Sequence, residues 1–155
     1  MHVKAAFLLI AFGLPFSSLA ANEPVTCSGE QITVQAREAD LGAQICHAAT
    51  RIRTELSECG LQQTRPLTIK IVDELSHQIG NCLAWFDCDQ DTIRLINPSR
   101  YRTVIEADSP YAALPGDVLL ENALTHELVH ALVYHTAAGR EIALVDHEYI
   151  LSLIH

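Results

Sequence analysis

Apolar positions along the chain switch between two periods. From Asp40 to Cys59, Leu41, Ile45, Ala48, Ile52 and Leu56 recur every three or four residues, which places them on one face of a helix. Gly60 follows where a C-terminal cap glycine belongs. Leu67-Thr68-Ile69-Lys70-Ile71-Val72 alternates at period two, the mark of a strand with one buried face. Residues 82–86 and 92–96 read as two further strands, joined by the acidic turn Asp87-Cys88-Asp89-Gln90-Asp91. A short β-prone run, Ile32-Thr33-Val34, precedes the first helix. Residues 97–116 hold Pro98, Pro110, Pro115 and Gly116 and read as loop, with a helical turn near Tyr101–Ile105. A second long helix is expected from about Asp117 to Ala137, closed by Gly139, and a third from near Glu141 onward. Helix, three strands, helix, helix is the order of an α+β domain.

The N-terminal residues follow neither period. Lys4 leads into an apolar run from Ala5 to Leu14, about half of the roughly twenty residues a membrane span takes. Ser18-Leu19-Ala20 then supplies the small-x-small pattern that a signal peptidase accepts, so residues 1–20 read as a signal peptide. Cleavage is expected after Ala20, with Ala21 as the second choice, and residues 21–155 form a single exported domain, periplasmic or secreted. Export changes the meaning of the five cysteines, Cys27, Cys46, Cys59, Cys82 and Cys88. An oxidising compartment favours bridges over metal binding, and five cysteines allow at most two bridges. Cys82 and Cys88 are the expected first pair, since they flank a short segment. No Cys-x-x-Cys spacing occurs, so a zinc ribbon is unsupported.

Composition narrows the partners. Lys and Arg number 10 against 19 Asp and Glu, a formal charge of −9, and the arginines are scattered. A nucleic-acid groove needs clustered cations; none is present. Asp87, Asp89 and Asp91 alternate like the start of a calcium loop, but the glycine and glutamate that complete one are missing, which leaves a solvated turn. Trp85-Phe86 reads as packing.

The chemistry lies on the second long helix, in His126-Glu127-Leu128-Val129-His130. Histidines four apart stand one turn above each other on a helix, so both imidazoles can reach one zinc ion. Glu127 stands beside that site as a general base for a water molecule. By composition alone, about 0.03 such matches are expected in the chain. The flanks Ala123-Leu124-Thr125 and Ala131-Leu132-Val133 are mostly apolar, and burying two histidines and a glutamate there costs several kcal/mol unless they are paired. A third ligand is needed. His135 lies on the same helix but about 140° around from His130, and the longer H-E-x-x-H-x-x-G-x-x-H pattern fails at Val133 and Thr136. Glu148, 18 residues after His130 on the next helix, is the expected third ligand, with His147 and Asp146 as neighbours able to replace it.

His126-Glu127-Leu128-Val129-His130 followed by Glu148 resembles the gluzincin branch of zinc metallopeptidases, and the helix–strands–helix order of residues 39–137 is similar to a minimal zincin core. Cys59-Gly60-Leu61, Asp87-Cys88, Ala131-Leu132 and His147-Glu148-Tyr149 also resemble an uncharacterised family of small exported bacterial proteins with a peptidase-like core. The first resemblance implies His126, His130 and Glu148 as ligands of one Zn2+, Glu127 as base, and a peptide or protein substrate. It also implies an antiparallel strand lining the cleft, Thr92–Ile96 or Cys82–Phe86, and an oxyanion stabiliser among Tyr149, His147 and Tyr134. Larger gluzincins carry a further subdomain where this sequence ends, seven residues after Glu148; a minimal fold, a last helix packed on a partner and a shortened version of a longer protein are the expectations, and a shallow or incomplete cleft would bind metal but cleave peptides poorly. The alternatives are a non-catalytic zinc-binding module on a peptidase-like fold and a disulfide-built interaction domain.

Overall fold

The computed structural model describes residues 24–27, 31–75 and 82–137. The expected signal peptide and third helix, with Gly139, Asp146, His147, Glu148 and Tyr149, lie outside the described residues. The fold is α+β. Its elements are β1 (Pro24–Thr26), β2 (Ile32–Gln35), α1 (Ala39–Glu58), β3 (Leu67–Val72), β4 (Ala84–Asp87), β5 (Thr92–Ile96), α2 (Tyr101–Val104) and α3 (Gly116–Thr136). Short 3-10 turns at Pro98–Arg100 and Pro110–Ala113 carry the chain from β5 to α3.

The strands form one mixed sheet in the order β1-β2-β3-β5-β4. β2, β3 and β5 run parallel, while β1 and β4 pair antiparallel at the two ends. Alternation along β3 explains its packing: Leu67, Ile69 and Ile71 are buried while Lys70 is exposed. These side chains, with Ile32, Val34, Ile93 and Leu95, meet Ile45, Ala49, Ile52 and Leu56 of α1 and Leu124, Leu128 and Leu132 of α3 in the core. α3 lies against α1, β4 and β5, so its apolar residues face neighbours on several sides.

Three elements differ from the sequence reading. β1 is an additional strand; three residues are too few to show a period, and Pro24 at the sheet edge gives up no central hydrogen bond. The buried stripe of α1 runs through Gly42, Ile45, Ala49, Ile52 and Leu56, with Leu41 and Ala48 at its margin. Gly42 joins that stripe because Val25 passes over it, close enough that a Cβ there would lie in contact with the Val25 side chain at 3.4 Å.

The disulfide is the third difference. Cys27 is bonded to Cys46, with Cα atoms 5.3 Å apart, and ties β1 to α1. Cys59, Cys82 and Cys88 are free thiols. The expected Cys82–Cys88 bridge fails because residues 84–87 form a strand between them. At about 3.4 Å per residue, that strand holds the two cysteines far beyond the roughly 7 Å Cα separation a disulfide tolerates.

Gly60 behaves as expected. It has φ 86°, its N–H donates to the Ser57 carbonyl at 3.0 Å, and the Leu61 N–H reaches back to Leu56 at 3.1 Å. This is a Schellman cap, in which the left-handed residue ends the helix and satisfies its last carbonyls. A Cβ at Gly60 would meet nothing within 4 Å, so only the backbone opposes a side chain. Gly60→Ala is therefore expected to lower the unfolding free energy by about 1–2 kcal/mol. A urea midpoint unchanged from the parent protein would show that the cap relaxes without strain.

Candidate metal centre

α3 begins with Pro115 at its N-cap and Asp117 in the first turn, where a carboxylate suits the helix dipole. The helix then becomes nearly all apolar: Leu124, Leu128, Val129, Ala131 and Leu132 have no exposed surface. Within that stretch stand His126, Glu127 and His130. Glu127 is 7% exposed and the two histidines are half-buried.

The pair is converged. His126 Nε2 and His130 Nε2 lie 3.1 Å apart, with ring centroids 4.8 Å apart and the rings tilted by 72°. Two nitrogens held at 2.0–2.1 Å on one tetrahedral zinc are separated by about 3.3 Å. The donors therefore fit a zinc ion in both kind and spacing. Among the described residues, no third His, Cys, Asp or Glu completes a three-residue metal group; Glu148, His147 and Asp146 lie outside them.

A cavity of about 610 Å³ opens beside the pair, with His126 and Glu127 in its wall. Leu83 and Ala84 line it at the start of β4, Ile105 after α2, and Leu119 and Ala123 on the α3 face leading to His126. Tyr111, 59% exposed, stands at its margin; the sequence reading passed over it, since Ser-Pro-Tyr marks only a loop. Cys82 also lines the cavity. Burial pushes its thiol pKa up, a backbone hydrogen bond opposes this in part, and the charge of Glu127 makes a smaller further contribution to the rise. The rise favours the thiol over the thiolate.

Of the two strands singled out for the cleft, Thr92–Ile96 lies between β3 and β4 and has no open edge. Residues 82–86 correspond to β4, the terminal strand of the sheet among the described residues, which also lies against α3. Tyr134 does not reach the cavity. Its ring meets Phe86 edge-on at 6.0 Å and carries the Arg65 guanidinium at 4.9 Å.

The acidic turn is less solvated than expected. Asp87 accepts hydrogen bonds from the backbone N–H groups of Asp89 and Gln90 and pairs with Arg94 at 3.3 Å. Asp91 pairs with Arg65 and with His135, each at 3.0 Å. Only Asp89 and its neighbours Cys88 and Gln90 stay exposed. The partners of Asp91 come from elements distant in sequence, so local spacing carries no sign of them.

No curated protein and no solved structure matches the chain. The chain belongs to the family of unknown function DUF6639, whose profile matches residues 32–153, from β2 through the His126–His130 helix and past Glu148.

Proposed function

We propose that this protein is an exported zinc-dependent peptidase, with His126, His130 and Glu148 holding one zinc ion and Glu127 as general base. The observation that carries this reading is the pair of Nε2 atoms 3.1 Å apart beside a buried glutamate, at the wall of a cavity. Export is supported by the Cys27–Cys46 bridge, which persists in oxidising compartments. No described helix is long and apolar enough to cross a membrane.

Zinc, when bound, supplies a Lewis acid and brings the pKa of its water to about 7. The residues of the chain do the rest. His126 and His130 present neutral imidazole nitrogens from a helix packed on several sides, which fixes their direction. The Glu127 carboxylate accepts a proton from the attacking water and returns it to the leaving amine nitrogen. β4 offers its outer backbone edge to an extended peptide, and the apolar walls at Leu83, Ile105 and Leu119 suit an apolar side chain of that peptide.

Elemental analysis of the purified protein is expected to find about one zinc per chain. A mixed peptide library should be cleaved, a chelator should stop cleavage, and added zinc should restore it. Absence of zinc after the protein has been offered the ion at neutral pH would overturn the reading. Zinc without cleavage would replace it with the non-catalytic zinc module.

A further inference from the structure

The far end of α3 carries a second polar cluster that the peptidase reading does not use. The His135 side chain is fully buried, with Nε2 3.0 Å from Asp91 Oδ1. Arg65 Nη2 reaches the same oxygen at 3.0 Å. Asp91 ends the turn between β4 and β5 and has φ 46°, a left-handed conformation that aspartate tolerates better than most side chains. Its carbonyl accepts the Thr68 N–H at 3.0 Å. One residue thus joins the β4–β5 hairpin, β3 and α3. Among the described residues, buried His135 Nδ1 has no hydrogen-bond partner. A leucine would fill that space without stranding a polar atom, so packing does not explain the histidine.

We infer that the Asp91–His135 bond is a positioning device, which holds the β4–β5 hairpin, and hence the outer edge of β4, in place against the helix that carries His126, Glu127 and His130. His135 lies five residues past His130, about 7.5 Å along a rigid helix. A shift of the hairpin at this end therefore displaces β4 relative to the histidine pair. Neither Asp91 nor His135 lines the cavity beside the histidine pair. Their consequence for catalysis rests on the peptidase reading; their hold on the hairpin does not.

The test compares His135→Leu, His135→Gln and Asp91→Gly in the full zinc-loaded protein. Glutamine places an amide nitrogen near the position of Nε2. Glycine keeps the left-handed backbone while removing the carboxylate. In His135→Leu and Asp91→Gly, zinc content should be unchanged; amide exchange across residues 84–96 should quicken about fivefold in His135→Leu, the loss of one hydrogen bond, and by more in Asp91→Gly, which also loses the Arg65 pair. Exchange in β2 should stay as it was. KM for a cleaved peptide should rise with kcat nearly constant, and His135→Gln should restore both readouts. The inference is overturned if exchange rises evenly over β2 and the hairpin, if it does not rise at all, or if His135→Gln fails to restore it. A parent protein that binds no zinc or cleaves nothing removes the peptidase reading, while amide exchange still decides the clamp.

Discussion

Replacing Glu127 with glutamine should leave about one zinc per chain and lower kcat for peptide hydrolysis by about a thousandfold. The substitution keeps the shape and helix propensity of a side chain that is 7% exposed in the packed interior of α3, so the fold and both histidines stay in place. What it removes is the ability to take a proton at neutral pH. General-base catalysis is worth about 10²–10⁴-fold in rate, and of the two carboxylates in the cavity wall Glu127 adjoins His126 on α3 whereas Glu106 lies on the loop after α2. Zinc content and kcat measured on the same preparation check this. Full activity with zinc bound would show that Glu127 is not the base. Loss of zinc together with activity would show that the carboxylate helps to hold the ion.

The second large effect concerns the metal itself. His130→Ala deletes one of two nitrogens that lie 3.1 Å apart, and leaves two of the three proposed ligands, His126 and Glu148. Disturbing a group that only orients a metal ligand already costs 10–100-fold in affinity or activity, so loss of a ligand should weaken zinc binding by more than 100-fold. Alanine is the best helix former and His130 is only half-buried, so the variant should fold; circular dichroism beside elemental analysis separates metal loss from unfolding. Glu148→Ala is expected to behave alike. Zinc retained in that variant but lost in His130→Ala would move the third ligand to His147 or Asp146, whereas zinc retained in both would remove the metal site altogether.

Both predictions address residues that the linear sequence already singled out, because a four-residue spacing on a helix is a geometric statement. Any helix over residues 116–136 brings His126 and His130 to one face. The same locality explains α1 with its Gly60 cap, β3 with its alternation and the helical turn of α2. In each case the deciding hydrogen bonds or side-chain contacts join residues within about six positions of one another, or follow from a period of 2 or 3.6.

Where partners are far apart in the chain, the pattern was silent or pointed elsewhere. Cys27 and Cys46 are 19 residues apart, and their pairing depends on β1 docking across the start of α1. The closer pair, Cys82 and Cys88, is kept apart by the strand between them. Sequence allowed either Thr92–Ile96 or residues 82–86 to line the cleft, and sheet order alone separates the internal strand from the terminal one. His135 was recognisable only as facing away from His130; Asp91, 44 residues earlier, becomes its partner because the β4–β5 hairpin packs on α3. Local periodicity therefore determined α1, α3, the main strands and the facing histidine pair, since each rests on neighbours along the backbone. Tertiary packing decided the disulfide, the order of the strands and the Asp91–His135 contact, since each needs surfaces that meet only after the chain has closed long loops.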